Sequence, residues 1–165
     1  MINAYGEIKI KQVAIGLGAD FLTGNKDNTG ATANNSFSTL YATNHKFYGY
    51  MDYFLNIPTD TKQRGLMDLY ARIGFSPSKT ISATLDLHNF SLANENNLSI
   101  NKVKKQLGTE ADILIDYKPT NIIHVQLGYS LLFALKNLEY IKGGNADAFN
   151  TWAFLMLKVS PTLLY

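Results

Sequence analysis

Cysteine is absent from the 165 residues, which excludes disulfides and thiolate metal sites and suits an oxidising exterior as well as the cytoplasm. No window approaches the roughly 18 consecutive apolar residues that a membrane-spanning helix needs. Charge is scarce, at 17% Asp, Glu, Lys and Arg with a net +2, and a pI near 8.7 is too mild to suggest a nucleic-acid partner. Tryptophan occurs once, against ten Tyr and nine Phe. The opening MINAYGEIKIKQ has no apolar h-region and no cleavage site, so it does not read as a signal peptide. It starts inside a strand-like pattern, as the tail of a longer protein would. The remainder, 46% hydrophobic with a mean hydropathy of -0.08, fits a folded chain of single-domain length.

Period-two alternation dominates, helical periodicity is weak, and no amphipathic helix is expected. In residues 109 to 134, Ala111, Ile113, Ile115 and Tyr117 make one face, and Glu110, Asp112, Asp116 and Lys118 the other. After Pro119-Thr120-Asn121 the pattern resumes, with Ile123, Val125, Leu127, Tyr129, Leu131 and Phe133 against His124, Gln126, Gly128 and Ser130. The alternation predicts six strands: 7–22, 66–76, 80–92, two within 109–134, and 149–159. Ile8 and Ile10 are out of phase with Val13, Ile15 and Leu17, which predicts a bulge between Lys11 and Val13 in the first strand.

The connections alternate in length. Pro77-Ser78-Lys79 and Pro119-Thr120-Asn121 are tight turns. Long connections cover about 23–65, including TGNKDNTGATANNS, then ANENNLSINKVKKQL and LKNLEYIKGGNADA. The strands are near the 9 to 11 residues that cross a bilayer at a steep tilt, longer than the five or six usual in globular proteins. These features predict an all-β fold: an antiparallel up-and-down transmembrane β-barrel, partly represented here, as one domain with a long extracellular loop at about 23–65. Its apolar face would meet outer-membrane lipid and its carboxylates a watery lumen. Tyr5, Tyr117 and Tyr129 are candidates for the interfacial aromatic girdles. Six strands fall short of the usual minimum of eight, so further strands or further copies are expected. A soluble β-sandwich or lipocalin-like ligand-binding barrel is the alternative fold.

Strand parity turns Asp20, Asp68, Asp86, Glu110, Asp112 and Asp116 inward, with the cations Arg72, Lys118 and Lys158 and the mostly neutral His88 and His124. Such an acidic wall favours cations. Arg72 and Asp68, on one face of one strand, are expected to form an ion pair, and Asp86 with His88 a polar lumen network. The segment KFYGYMDYF (46–54) is too apolar for a free loop. Phe47, Tyr48, Tyr50, Asp52 and Tyr53 would narrow the mouth or contact sugar rings, or the segment would add a strand. His45 and Asp52 are too few ligands for a metal. Catalysis has little support: Asp112 and Asp116 lie about 13 Å apart along one strand, too far for glycoside hydrolysis, and no nucleophile elbow, phosphate loop or zinc pattern occurs.

Several stretches together resemble the alginate-export family of outer-membrane barrels. They are Phe37-Ser38-Thr39-Leu40-Tyr41, Asn44-His45-Lys46-Phe47-Tyr48-Gly49-Tyr50-Met51-Asp52-Tyr53-Phe54, Leu85-Asp86-Leu87-His88-Asn89-Phe90, Leu107-Gly108-Thr109-Glu110-Ala111-Asp112, Gly128-Tyr129-Ser130, and Trp152 to Leu157 with Pro161-Thr162. They run from about Gly18 to the C-terminus, in the order of the family's C-terminal part. The resemblance implies a porin-like passive channel in the bacterial outer membrane, monomeric when complete, passing polysaccharide or small hydrophilic solutes. It implies no enzyme and no cofactor. The acidic wall departs from what a polyanion such as alginate would require. A non-transporting barrel for adhesion or envelope structure is the other membrane alternative.

Overall fold

A computed structural model describes residues 1–26, 34–40, 45, 47–95 and 105–161. Tyr41, Asn44, Lys46 and Thr162, and parts of the polar stretches at 23–36 and 93–107, lie outside the described residues.

The chain forms one seven-stranded antiparallel sheet in sequence order: β1 (Ile2–Ile10), β2 (Val13–Leu22), β3 (Leu66–Phe75), β4 (Ile81–Leu92), β5 (Gln106–Tyr117), β6 (Ile123–Ala134) and β7 (Asn150–Val159). The sheet is open, with β1 and β7 as its edges. Bounds for β3 to β7 agree with the periodicity. The first strand does not: it is a hairpin of two, with Lys11 and Gln12 as the turn and Ile10 opposite Val13. Lys11 takes φ 54°, the left-handed conformation that tight hairpins demand. The phase break read as a bulge is this reversal. Short connections therefore follow β1, β3 and β5, and long ones follow β2, β4 and β6.

The register carries the alternation across the whole sheet. On the outer face Leu17, Ala71, Leu87, Ala111 and Leu131 succeed one another strand by strand, and so do Ile15, Ile73, Leu85, Ile113 and Tyr129. This face is uncovered, with Leu17 67% and Leu155 74% exposed. Tyr117 and Tyr129 lie on it, but Tyr5 does not. Once β1 pairs with β2, Tyr5 falls opposite Gly18 on the inner face and stacks on Tyr70, ring centroids 6.0 Å apart.

The core sits on the inner face at the long-connection end. Leu22, Leu66, Phe90, Leu92, Leu107 and Leu132, near the strand ends, pack with Phe54 and Ile57 of the β2–β3 connection. Leu138 and Ile141 join them from a helix the periodicity missed, α1 (Lys136–Lys142). Each fully buried Leu or Phe contributes about 1.5–3 kcal/mol. The layer over this core is tied by Lys142 to Asp60, 2.6 Å, and by Arg64, whose Nη1 donates to the carbonyls of Asn25 and Lys26.

Candidate functional site

Below the core, the inner face turns polar. Asp20, Asp68, Arg72, Asp86, His88, Glu110 and Asp112 form one cluster there, because the register sets Asp20 opposite Asp68, Arg72 opposite Asp86, Asp86 opposite Asp112, and His88 opposite Glu110. All five carboxylates are buried. Arg72 does not pair with Asp68. Its Nε and Nη2 donate to the two Asp86 oxygens at 2.6 and 2.8 Å, and Asp68 takes the His88 ring at 2.8 Å. Directly opposed residues on neighbouring strands have Cβ atoms about 5 Å apart, whereas positions four apart along a strand are about 13 Å apart. The cross-strand partner wins on distance.

The segment 47–54 folds down over this cluster and is not an extra strand. The Met51 N–H donates to Glu110 Oε1 at 2.8 Å and the Tyr50 N–H to Asp112 Oδ2 at 3.3 Å. Gly49 permits this approach: its φ is +82°, and a Cβ there would collide with the Glu110 carboxylate. Tyr48 reaches one edge of the sheet, its hydroxyl 4.0 Å from Met1 Sδ. His45, three residues earlier, stacks at 4.4 Å on Trp152 of β7, the other edge. Through these two contacts the segment, with His45, touches both edges of the sheet. Burial, and then Asp20 and Asp68, push the Tyr48 phenol up to about 12. Burial likewise raises the phenols of Tyr50 and Tyr53.

Asp52 turns away from the cluster and holds His45, accepting its backbone N–H at 2.8 Å and lying 3.0 Å from its ring Nδ1. Tyr53 packs against the core, and Phe47 leans on Tyr48, centroids 6.1 Å apart. Asp116, His124 and Lys158 stay apart from the main cluster, near the short turns. The His124 ring lies 2.5 Å from Asp116, Gln126 donates to the same oxygen at 3.0 Å, and Lys158 is opposite His124. Among the described residues, no group of three or more His, Asp or Glu has metal-binding geometry.

Sequence reasoning missed the aromatic part of this face. Tyr5, Tyr70 and Phe154 lie across Gly16, Gly18 and Gly128 of neighbouring strands, where a Cβ would strike the rings. Trp152 and Phe154 lie tilted against each other and both stack with His45, and Phe154 also stacks with Tyr50. The signal was present as an aromatic facing a strand glycine, but it needs the register to be read. Comparison of the chain with protein-family models, curated proteins and solved structures gave no match.

Proposed function

We propose that this chain is part of an outer-membrane β-barrel of the alginate-export type, a non-catalytic channel that passes small hydrophilic solutes by diffusion. The observation that carries the reading is the division of the sheet's two faces. Apolar side chains stand exposed on the outside across all seven strands, while five carboxylates are buried inside. In water, so large an uncovered apolar surface is a liability. Against lipid it is the stable arrangement, provided the two unpaired edges are closed by further strands or further copies. The strict alternation of short and long connections supports the same reading. In it, segment 47–54 is a constriction folded inward from the long-connection side.

The inner wall favours cations over a polyanion. By register Asp20, Asp68, Asp86, Glu110, Asp112 and Asp116 share one face of the sheet, and pairing β1 adds Glu7 with Lys9 to it. A second reading, the non-transporting barrel, is favoured by the same segment and by α1, which fill the inner face at the long-connection end.

The zero-current potential of the complete protein in a planar bilayer under a salt gradient tests both. The channel reading expects a cation-selective conductance that Asp116→Asn weakens. Anion selectivity would return polyanionic sugars as the cargo. Silence from folded protein would establish the plugged barrel.

A further inference from the structure

Between segment 47–50 and strands β1 to β4 lies a cavity of about 280 Å³. Its acidic wall is Asp20 and Asp68, directly opposite each other across β2 and β3. Like charges so placed destabilise a sheet, and this pair is buried, Asp20 to 8% exposure and Asp68 to 1%. Asn3 donates to Asp20 Oδ1 and His88 faces Asp68 Oδ2. Asp68 Oδ1, buried in the cavity wall, has no hydrogen-bond partner. The third carboxylate of the lining, Asp86, is already matched by the bidentate Arg72. Among the described residues, Asp20 and Asp68 thus face each other without a cation of the protein between them that matches Arg72 on Asp86, and Asp68 Oδ1 is an unused acceptor.

The rest of the lining is aromatic. Tyr5 and Tyr70, stacked within 15° of parallel, and Tyr48 all border the cavity. Rings attract organic cations through their faces, most strongly where water is excluded. For a hard divalent ion, by contrast, no group of three or more His, Asp or Glu among the described residues has metal-binding geometry. We infer that this cavity binds the ammonium group of a small organic amine, held between Asp20 and Asp68 with its alkyl part against Tyr5 and Tyr70. As a statement about transported solutes this rests on the channel reading. As a binding site it does not, and its test needs no bilayer.

The test is calorimetric titration of the complete protein in detergent micelles with propylammonium chloride, and separately with calcium chloride and sodium chloride. Saturable propylammonium binding is expected, weakened about tenfold or more by either Asp68→Asn or Asp20→Asn, a loss of about 1.4 kcal/mol. Asp147→Asn, in an exposed connection, should leave it unchanged. Should Asp68→Asn fail to fold, Asp20→Asn and Tyr5→Leu carry the test, Tyr5→Leu with a smaller loss. No saturable binding to folded protein would overturn the site, even if the conductance proved normal. So would binding indifferent to these substitutions, or calcium or sodium binding in place of the amine.

Discussion

At the long-connection end, the inner face presents Leu22, Leu66, Phe90, Leu92 and Leu107, all at 0% exposure beneath the β2–β3 connection and α1. At the short-turn end the same face, on β5, β6 and β7, presents Asp116, His124, Gln126 and Lys158, none of them buried. Strand chemistry alone does not separate the two ends, since both alternate with the same period on the same register. Their coverings differ. Connections of two to five residues can only reverse the chain, whereas connections of a dozen residues or more can fold back and bury what lies beneath. Tertiary stability should therefore be concentrated at one end of the sheet and solvent access at the other.

Phe90→Ala should break that comparison most severely. The ring is fully buried and packs at 4.8 Å on Phe54, so about 3–5 kcal/mol should be lost in equilibrium urea unfolding from detergent. Leu155→Ala, on the exposed outer face, should cost far less in the same assay. Next in size is Gly49→Ala. Forced against Glu110 from a φ of +82°, the segment should lose about 1–3 kcal/mol and become protease-sensitive, with strands still protected. Unchanged protection would show that the segment is held elsewhere.

Arg72→Met should cost less, about 1–2 kcal/mol. It strands the buried Asp86, but Arg72 itself is 46% exposed at its side chain, so solvent discounts the pair. Breaking the solvent-exposed pair of Lys136 with Asp147 by Lys136→Ala should produce no measurable change. The smallest signal is spectroscopic. A phenol raised from 10 to about 12 favours the folded state fully below pH 10 and loses that contribution as pH rises through 12. Tyr48→Phe should delete the last-titrating phenolate absorbance. If instead it deletes one near pH 10, Tyr48 is not covered as described.

Much of this was legible in the chain. Strands β3 to β7 follow from alternation bounded by proline turns, and the inward direction of the carboxylates follows from parity. The β1–β2 reversal escaped because Lys11-Gln12 carries none of the Gly, Asn or Pro that marks a turn. Missing it misplaced Tyr5 on the outer face. α1 escaped because Leu138 and Ile141 are a single i, i+3 pair in seven residues, too short a run for a period to be seen. The Arg72–Asp86 pairing is a property of register between strands and is invisible in either strand alone. The descent of segment 47–54 depends on positive φ at Tyr48, Gly49 and Asp52, and aromatic composition could show only that it would be buried.

Glu110 and Asp112 grip segment 47–54 by its main chain, through the N–H groups of Met51 and Tyr50. Such a clasp does not recognise which side chains the residues carry. Provided Gly49 is retained, the anchor itself does not depend on side-chain identity, although Tyr50 and Tyr53 carry ring and core contacts of their own. The segment is thereby clipped by its main chain, so that the side chains set against the inner face could change with the attachment to the sheet untouched.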